Sequence, residues 1–176
     1  MIFHDEETRN RVRHTSPPAN FTGPLQPPML GAALASARIH ASNEIGRLQG
    51  ELRRRIEYVN HRAVELGLPL LHSDVEVPIR FIGLGPQAAS TAMATHLMER
   101  GLLPSCALFP AVPPHQTGIR FTVTRHHEVS DLDMLLETIA DYLPEALACG
   151  GVDQREVDRA FGLKSSSVSS AAPGLD

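Results

Sequence analysis

A chain of 176 residues, 42% hydrophobic and 20% charged, is ordinary for about one soluble globular domain and long enough to bury a real core. Its formal net charge of −4 argues against general nucleic-acid affinity, and the absence of Trp argues against a base-stacking surface. Cys106 and Cys149 show no metal spacing, no apolar run reaches about 18 residues, and MIFHDEETRNRVRH at the start lacks a signal-type apolar stretch. The expectations are therefore no disulfide framework, no membrane span and a cytoplasmic address.

Residues 1–28 turn from polar to Pro- and Gly-rich, and Pro17, Pro18, Pro24, Pro27 and Pro28 remove donors and fix φ. The expectation is an extended leader without helix. Residues 29–41, MLGAALASARIHA, favour a helix whose small side chains suit close packing on another helix or subunit. Ser42 is a reasonable N-cap for a second helix. In residues 43–66, Ile45, Leu48, Leu52, Ile56, Val59, Ala63 and Leu66 recur at steps of three or four, one face of a helix about six turns long. Arg47, Glu51, Arg54, Arg55 and Glu57 take the other face, with Glu51 and Arg55 at favourable i,i+4 spacing, and Gly67 supplies the stop.

Residues 74–83, DVEVPIRFIG, predict a strand in which Val77, Ile79 and Phe81 alternate with Glu76, Pro78, Arg80 and Ile82; Pro78 suits an edge or a strand start. A helix is predicted over 86–100, with Pro86 in its first turn and Gly101 after its end. A short apolar run, 105–112, precedes the cleanest strand, 118–124, where Ile119, Phe121 and Val123 share one face and Arg120, Thr122 and Thr124 the other. These two strands are close enough for a hairpin. Ser130 and Asp133 resemble a capping box, followed by the stripe Leu132, Leu135, Leu136, Ile139, Tyr142 and Leu143. Residues 150–161 can add a turn or two of helix, and residues 162–176 read as a disordered tail. The sum is an α+β fold: about three mainly antiparallel strands covered by helices and preceded by a long helix, with residues 29–161 as the domain.

Three kinds of chemistry find little support. Nine histidines are many, but His126 and His127 are adjacent and point apart, and no H-E-x-x-H or C-x-x-C occurs, so no metal site is expected. Gly83-Leu84-Gly85 follows a strand as phosphate loops do, yet a third glycine and a G-K-[ST] are missing, so it reads as a turn. Cys106 and the serines lack a nucleophile signature. Arg120 remains. A guanidinium in an apolar strand needs an anion, and its planar fork suits a carboxylate. That anion is either an intradomain partner, Asp131 or Glu128, or a substrate carboxylate.

The residues Phe109–Pro113 (FPAVP), Gly118–Thr124 (GIRFTVT), His127 and Asp131–Asp133 (DLD), in that order, resemble the C-terminal domain of the pyridoxal-phosphate-dependent α-oxoamine synthases. These are fold-type-I enzymes of the class I/II aminotransferase superfamily, and they include 8-amino-7-oxononanoate synthase, 2-amino-3-ketobutyrate CoA ligase and serine palmitoyltransferase. The resemblance runs from about Phe21 to about Leu147. It implies the small C-terminal domain of that fold, pyridoxal phosphate as cofactor, and an amino acid and an acyl thioester as substrates, condensed with loss of CO2. It places the substrate-carboxylate arginine at Arg120, and Gly118 stands where family members often carry a second arginine. It offers Thr22 as a contact to the cofactor phosphate of the partner subunit. The family's cofactor lysine lies upstream of everything matched here. Lys164, the only lysine, sits in the polar tail and cannot replace it. The resemblance therefore implies the C-terminal portion of such a transferase, inactive alone, with no catalytic residue of its own, working as a homodimer or with a partner polypeptide that carries the large domain. The alternatives are an aminotransferase fragment, which keeps the same arginine, and a non-catalytic interaction or regulatory subunit.

Overall fold

The structure is a computed structural model, and it describes residues 3–163, apart from the side chains of residues 19 and 20. Of the tail expected to be disordered, Gly162 and Leu163 are described, with the Leu163 N–H donating to the Asp158 carbonyl at 2.8 Å, and 164–176 lie outside the described residues. The chain divides into two compact units, Met1–Ile45 and Gly46–Asp176.

The first unit corrects the expectation of a helix-free leader. It contains α1 (Glu6–Thr15), α2 (Pro17–Phe21) and α3 (Pro27–His40). Asp5 caps α1 by accepting from the Thr8 N–H at 2.6 Å, with Glu6 and Glu7 in the first turn and Arg13 and His14 in the last, the order a helix dipole favours. The proline pairs open α2 and α3 at their first two positions. An N–H there has no intrahelical acceptor, so proline loses nothing, and its fixed φ suits the helix. Prolines that read as breakers from composition are starters by position.

In the second unit, α4 (Glu44–Glu65) follows the predicted stripe, burying Ile56, Val59, Asn60 and Ala63, while Ile45 and Leu48 are half-buried. Three strands form one sheet: β1 (Ile79–Gly85), β2 (Ser105–Ala107) and β3 (Thr117–Thr122) in the order β1-β3-β2. Both neighbours of β3 run antiparallel to it, and β2 and β3 form the expected hairpin. One connection, α5 (Gln87–Glu99), carries the chain from β1 to β2 past the central strand. After β3 come α6 (Val129–Gly150) and a separate α7 (Gln154–Phe161). Gly151, at φ 67°, ends α6 and lets Asp153 and Glu156 cap α7 reciprocally. The core joins Val59 of α4, Ile82 and Leu84 of β1, Met93 and Leu97 of α5, and Leu136 and Ile139 of α6.

β1 is shorter than expected and faces the other way. Its inward residues are Arg80, Ile82 and Leu84, whereas Ile79 and Val77 are exposed. Arg80 is 1% exposed, and among the described residues no carboxylate lies within ion-pair reach of it. Its Nη1 donates to the carbonyls of Val75 (3.0 Å) and Val77 (3.4 Å), and its Nη2 to those of Leu71 (3.4 Å) and His72 (2.9 Å). Burial pushes this guanidinium below its ordinary value, partly offset by Asp74. The segment it gathers lies along the free edge of β1: Leu71 N–H donates to Phe81 C=O (2.9 Å), and Gly83 N–H to Pro69 C=O (3.0 Å). One side chain thus closes a loop and covers a sheet edge.

Replacing Arg80 with Ala is expected to lower stability by about 3 kcal/mol or more, because four carbonyls lose a charged donor and a cavity opens. Arg80→Lys should recover little, since one ammonium cannot span the same fork of acceptors. Chemical denaturation midpoints test this, and a wild-type midpoint for Arg80→Ala would refute the role.

Candidate anion site

The sheet register builds the site. In β3, Arg120 stands opposite Phe81 of β1 on one side and Ser105 of β2 on the other. Residues directly opposite in an antiparallel pair share a face. Arg120, Thr122, Ser105 and Phe81 therefore lie on the face away from Ile82 and Ile119. The guanidinium is exposed, and its Nη2 donates to Ser105 Oγ at 3.1 Å.

After β3 the chain turns tightly through 124–128. The Thr124 N–H donates to His127 Nδ1 (3.2 Å), and the His126 N–H to Thr124 Oγ1 (3.3 Å). Two arginines tie this turn to α4. Arg55 Nε donates to the His127 carbonyl (2.7 Å), and Arg125 Nε reaches Glu51 Oε2 (3.2 Å). The i,i+4 pair expected between Glu51 and Arg55 is replaced by this arrangement: Glu51 takes Arg47 and Arg125 on its two oxygens, and the hydrogen bond from Arg125 leads in holding its carboxyl below the usual range. Arg55 donates to the Glu51 carbonyl instead, at 3.2 Å.

The capping box of α6 lies two residues before the expected Ser130–Asp133 pair. Glu128 is the N-cap, its side chain accepts from the Asp131 N–H, and Asp131 Oδ2 accepts from the Glu128 N–H at 3.0 Å. Both acidic candidates for an intradomain partner of Arg120 are thereby committed to helix α6, and neither pairs with it. Arg120, Ser105, Thr122, His127 and Asp131 instead line an open cleft of about 460 Å³, walled by apolar side chains that include Leu103 and Met134. Sequence reasoning singles out Arg120 and places His127 within a motif. It misses Ser105, which only the hairpin register brings beside the guanidinium.

Gly118 shares the face of Arg120 and explains why no second arginine stands there. A Cβ at this position would fall onto the Ile82 carbonyl and the Phe81 ring. The turn Gly83-Leu84-Gly85 is closed too. All three residues are buried, and the Phe161 ring covers Gly83. Thr22 is exposed in the first unit, and its hydroxyl donates to the Pro18 carbonyl. Among the described residues no group of three or more His, Cys, Asp and Glu could hold a metal, no helix is long and apolar enough to cross a membrane, and none is a lysine.

The second unit is a three-stranded α+β domain with an open cleft at Arg120, and its architecture recurs within larger enzymes. An 8-amino-7-oxononanoate synthase from Francisella tularensis superposes with a TM-score of 0.62 at 22% identity, over 80% of this chain and 40% of that one. Serine palmitoyltransferase from S. paucimobilis, with a bound PLP–myriocin aldimine, gives 0.66 at 20% identity, over 79% and 34%. By sequence the chain is a relative of the 8-amino-7-oxononanoate synthases, as the motif resemblance indicates. It is 31% identical over 130 residues to that of Halorhodospira halophila (73% of this chain, 32% of the relative) and 35% over 118 residues to that of Serratia marcescens (65% and 29%). The chain thus spans about a third of the length of the curated relatives it matches. No protein-family model matches it.

A Gly118→Ala substitution is expected to cost about 2 kcal/mol or more, because the added methyl meets backbone that cannot rotate away. Thermal unfolding measures it, and an unchanged midpoint would show that β1 and β3 can separate at that pair.

Proposed function

We propose that this chain supplies the substrate-carboxylate site of a pyridoxal-phosphate-dependent α-oxoamine synthase, with Arg120 as the clamp. One observation carries the reading. Arg120 opens into a cleft with a single neutral partner among the described residues, Ser105, while both nearby carboxylates are engaged at the start of α6. A guanidinium so placed keeps two further nitrogens for a ligand, and its fork binds and orients a carboxylate.

The described residues do not make a cofactor site by themselves. They include no lysine, and the hydroxyl of Thr22 would have to turn from the Pro18 carbonyl before donating to a phosphate of the partner subunit. On this reading the cofactor and its lysine come from a large domain, carried together with these residues in a homodimer or on a partner polypeptide, and the residues given do not by themselves catalyse the condensation of amino acid and acyl thioester. The first unit supports a covering partner. Its Phe21, Leu25, Met29, Leu30 and Leu34 are all at least half exposed, and none of its described residues is buried.

Titrating the full chain with acetate while following the Arg120 Nε–H by NMR should show weak saturable binding that Arg120→Ala abolishes. In an enzyme completed by a lysine-bearing large domain, Arg120→Ala should cost about 2–4 kcal/mol of substrate binding. Pyridoxal phosphate added to the chain alone should show no lysine-dependent change in absorbance. An absorbance change that Lys164→Ala removes, or an Arg120 Nε–H that ignores acetate, would overturn the proposal.

A further inference from the structure

His127 is half-buried, lines the same cleft as Arg120, and has one ring nitrogen already committed. A backbone amide can only donate. The 3.2 Å contact from Thr124 N–H therefore makes His127 Nδ1 the acceptor, with its lone pair turned into the tight turn. In the neutral ring the proton then sits on Nε2, and second partners of this kind set histidine tautomers generally. Among the described residues Nε2 makes no hydrogen bond. The Nδ1 contact orients the ring, and the backbone that carries it is fixed at its carbonyl by Arg55 Nε (2.7 Å) and at its N–H by the Thr124 carbonyl (3.4 Å).

We propose that His127 Nε2 is a second hydrogen-bond donor to the anion held by Arg120. This rests on the carboxylate reading of Arg120 and adds a second point of attachment. The guanidinium supplies charge from the sheet, and the imidazole supplies an oriented Nε2–H donor from the turn before α6. Two donors on separate elements define the orientation of a carboxylate better than one long side chain. Asp131, on the same cleft wall, opposes any anion bound there, although the Glu128 N–H already takes one of its oxygens. A compact carboxylate seated between Arg120 and His127 fits this arrangement better than a dianionic phosphate.

The test uses the full chain, ¹⁵N-labelled at histidine and arginine, with acetate as the probe. The His127 ring should show a protonated Nε2 and an unprotonated Nδ1. The Nε2 signal should titrate with acetate at the same midpoint as the Arg120 Nε. His127→Ala should weaken acetate binding about threefold, as for loss of one hydrogen bond, and His127→Gln should stay within about twofold of wild type because its amide can donate from a similar position. An Nδ1-protonated ring overturns the proposal. So does an Nε2 signal that stays still while Arg120 titrates, and in that case the role of Arg120 stands. If Arg120 itself does not respond, the carboxylate reading fails and this inference fails with it. Should His127→Ala not fold, the tautomer and the Gln variant still decide.

Discussion

A charge held inside the sheet by backbone carbonyls alone decides how the second unit is built. Arg80 sits on the core face of β1 beside Ile82, where an unpaired cation would be untenable. Its solution is to draw in the carbonyls of Leu71, His72, Val75 and Val77, of which His72 also accepts from the Val75 N–H and Val75 from Asn60 Nδ2. His72 adopts a positive φ of 52° within that segment. Once it is gathered, Pro69 and Leu71 can pair with β1, Ile82 and Leu84 are fixed inward, and Phe81 must face outward opposite Arg120. The site face of the sheet is set by what happens on the opposite face.

Much of the fold is legible in the sequence because its signals are local. The α4 and α6 stripes, the glycine stop at Gly67 and the β2–β3 hairpin all come from spacing within a few residues of one another. The direction of β1 is not legible. An arginine inside an alternating pattern reads as outward, and only a distant loop of carbonyls makes the inward placement possible. Hydrophobicity assigns Ile79 to the core, yet 58% of its surface is exposed. The leader misleads for a different reason. Proline is a breaker or a starter depending on its position, and composition does not record position. For the candidate site, the type of residue is legible at Arg120, but its neighbour Ser105 emerges only from register, and the tautomer of His127 only from the turn that bends Thr124 back over it.

The charge balance around the cleft is the other non-local result. Two acids within eight to eleven positions of Arg120 in sequence look like its partners. Capping takes both, since the first turn of α6 has donors that need acceptors as much as the guanidinium needs an anion. Arg55 and Arg125 then spend their own donors on the turn and on Glu51, fastening β3 and α6 to α4. Of these three arginines around the turn, Arg120 is the one that points its surplus donors at open space.

Gly118 also bears on how such a chain can diverge. Its missing side chain is filled by the Phe81 ring, which in turn lies against Phe161 of α7, with centroids 6.1 Å apart. A lineage that carries a long side chain at this position cannot be reached from here by one substitution, because the space has been given to an aromatic pair from two other elements. The strands, the ring and α7 would have to change together. What looks like a single missing arginine is a ratchet: the cleft's cation count has become a property of the packing between β1, β3 and α7, and a change confined to the cleft cannot readily turn it back.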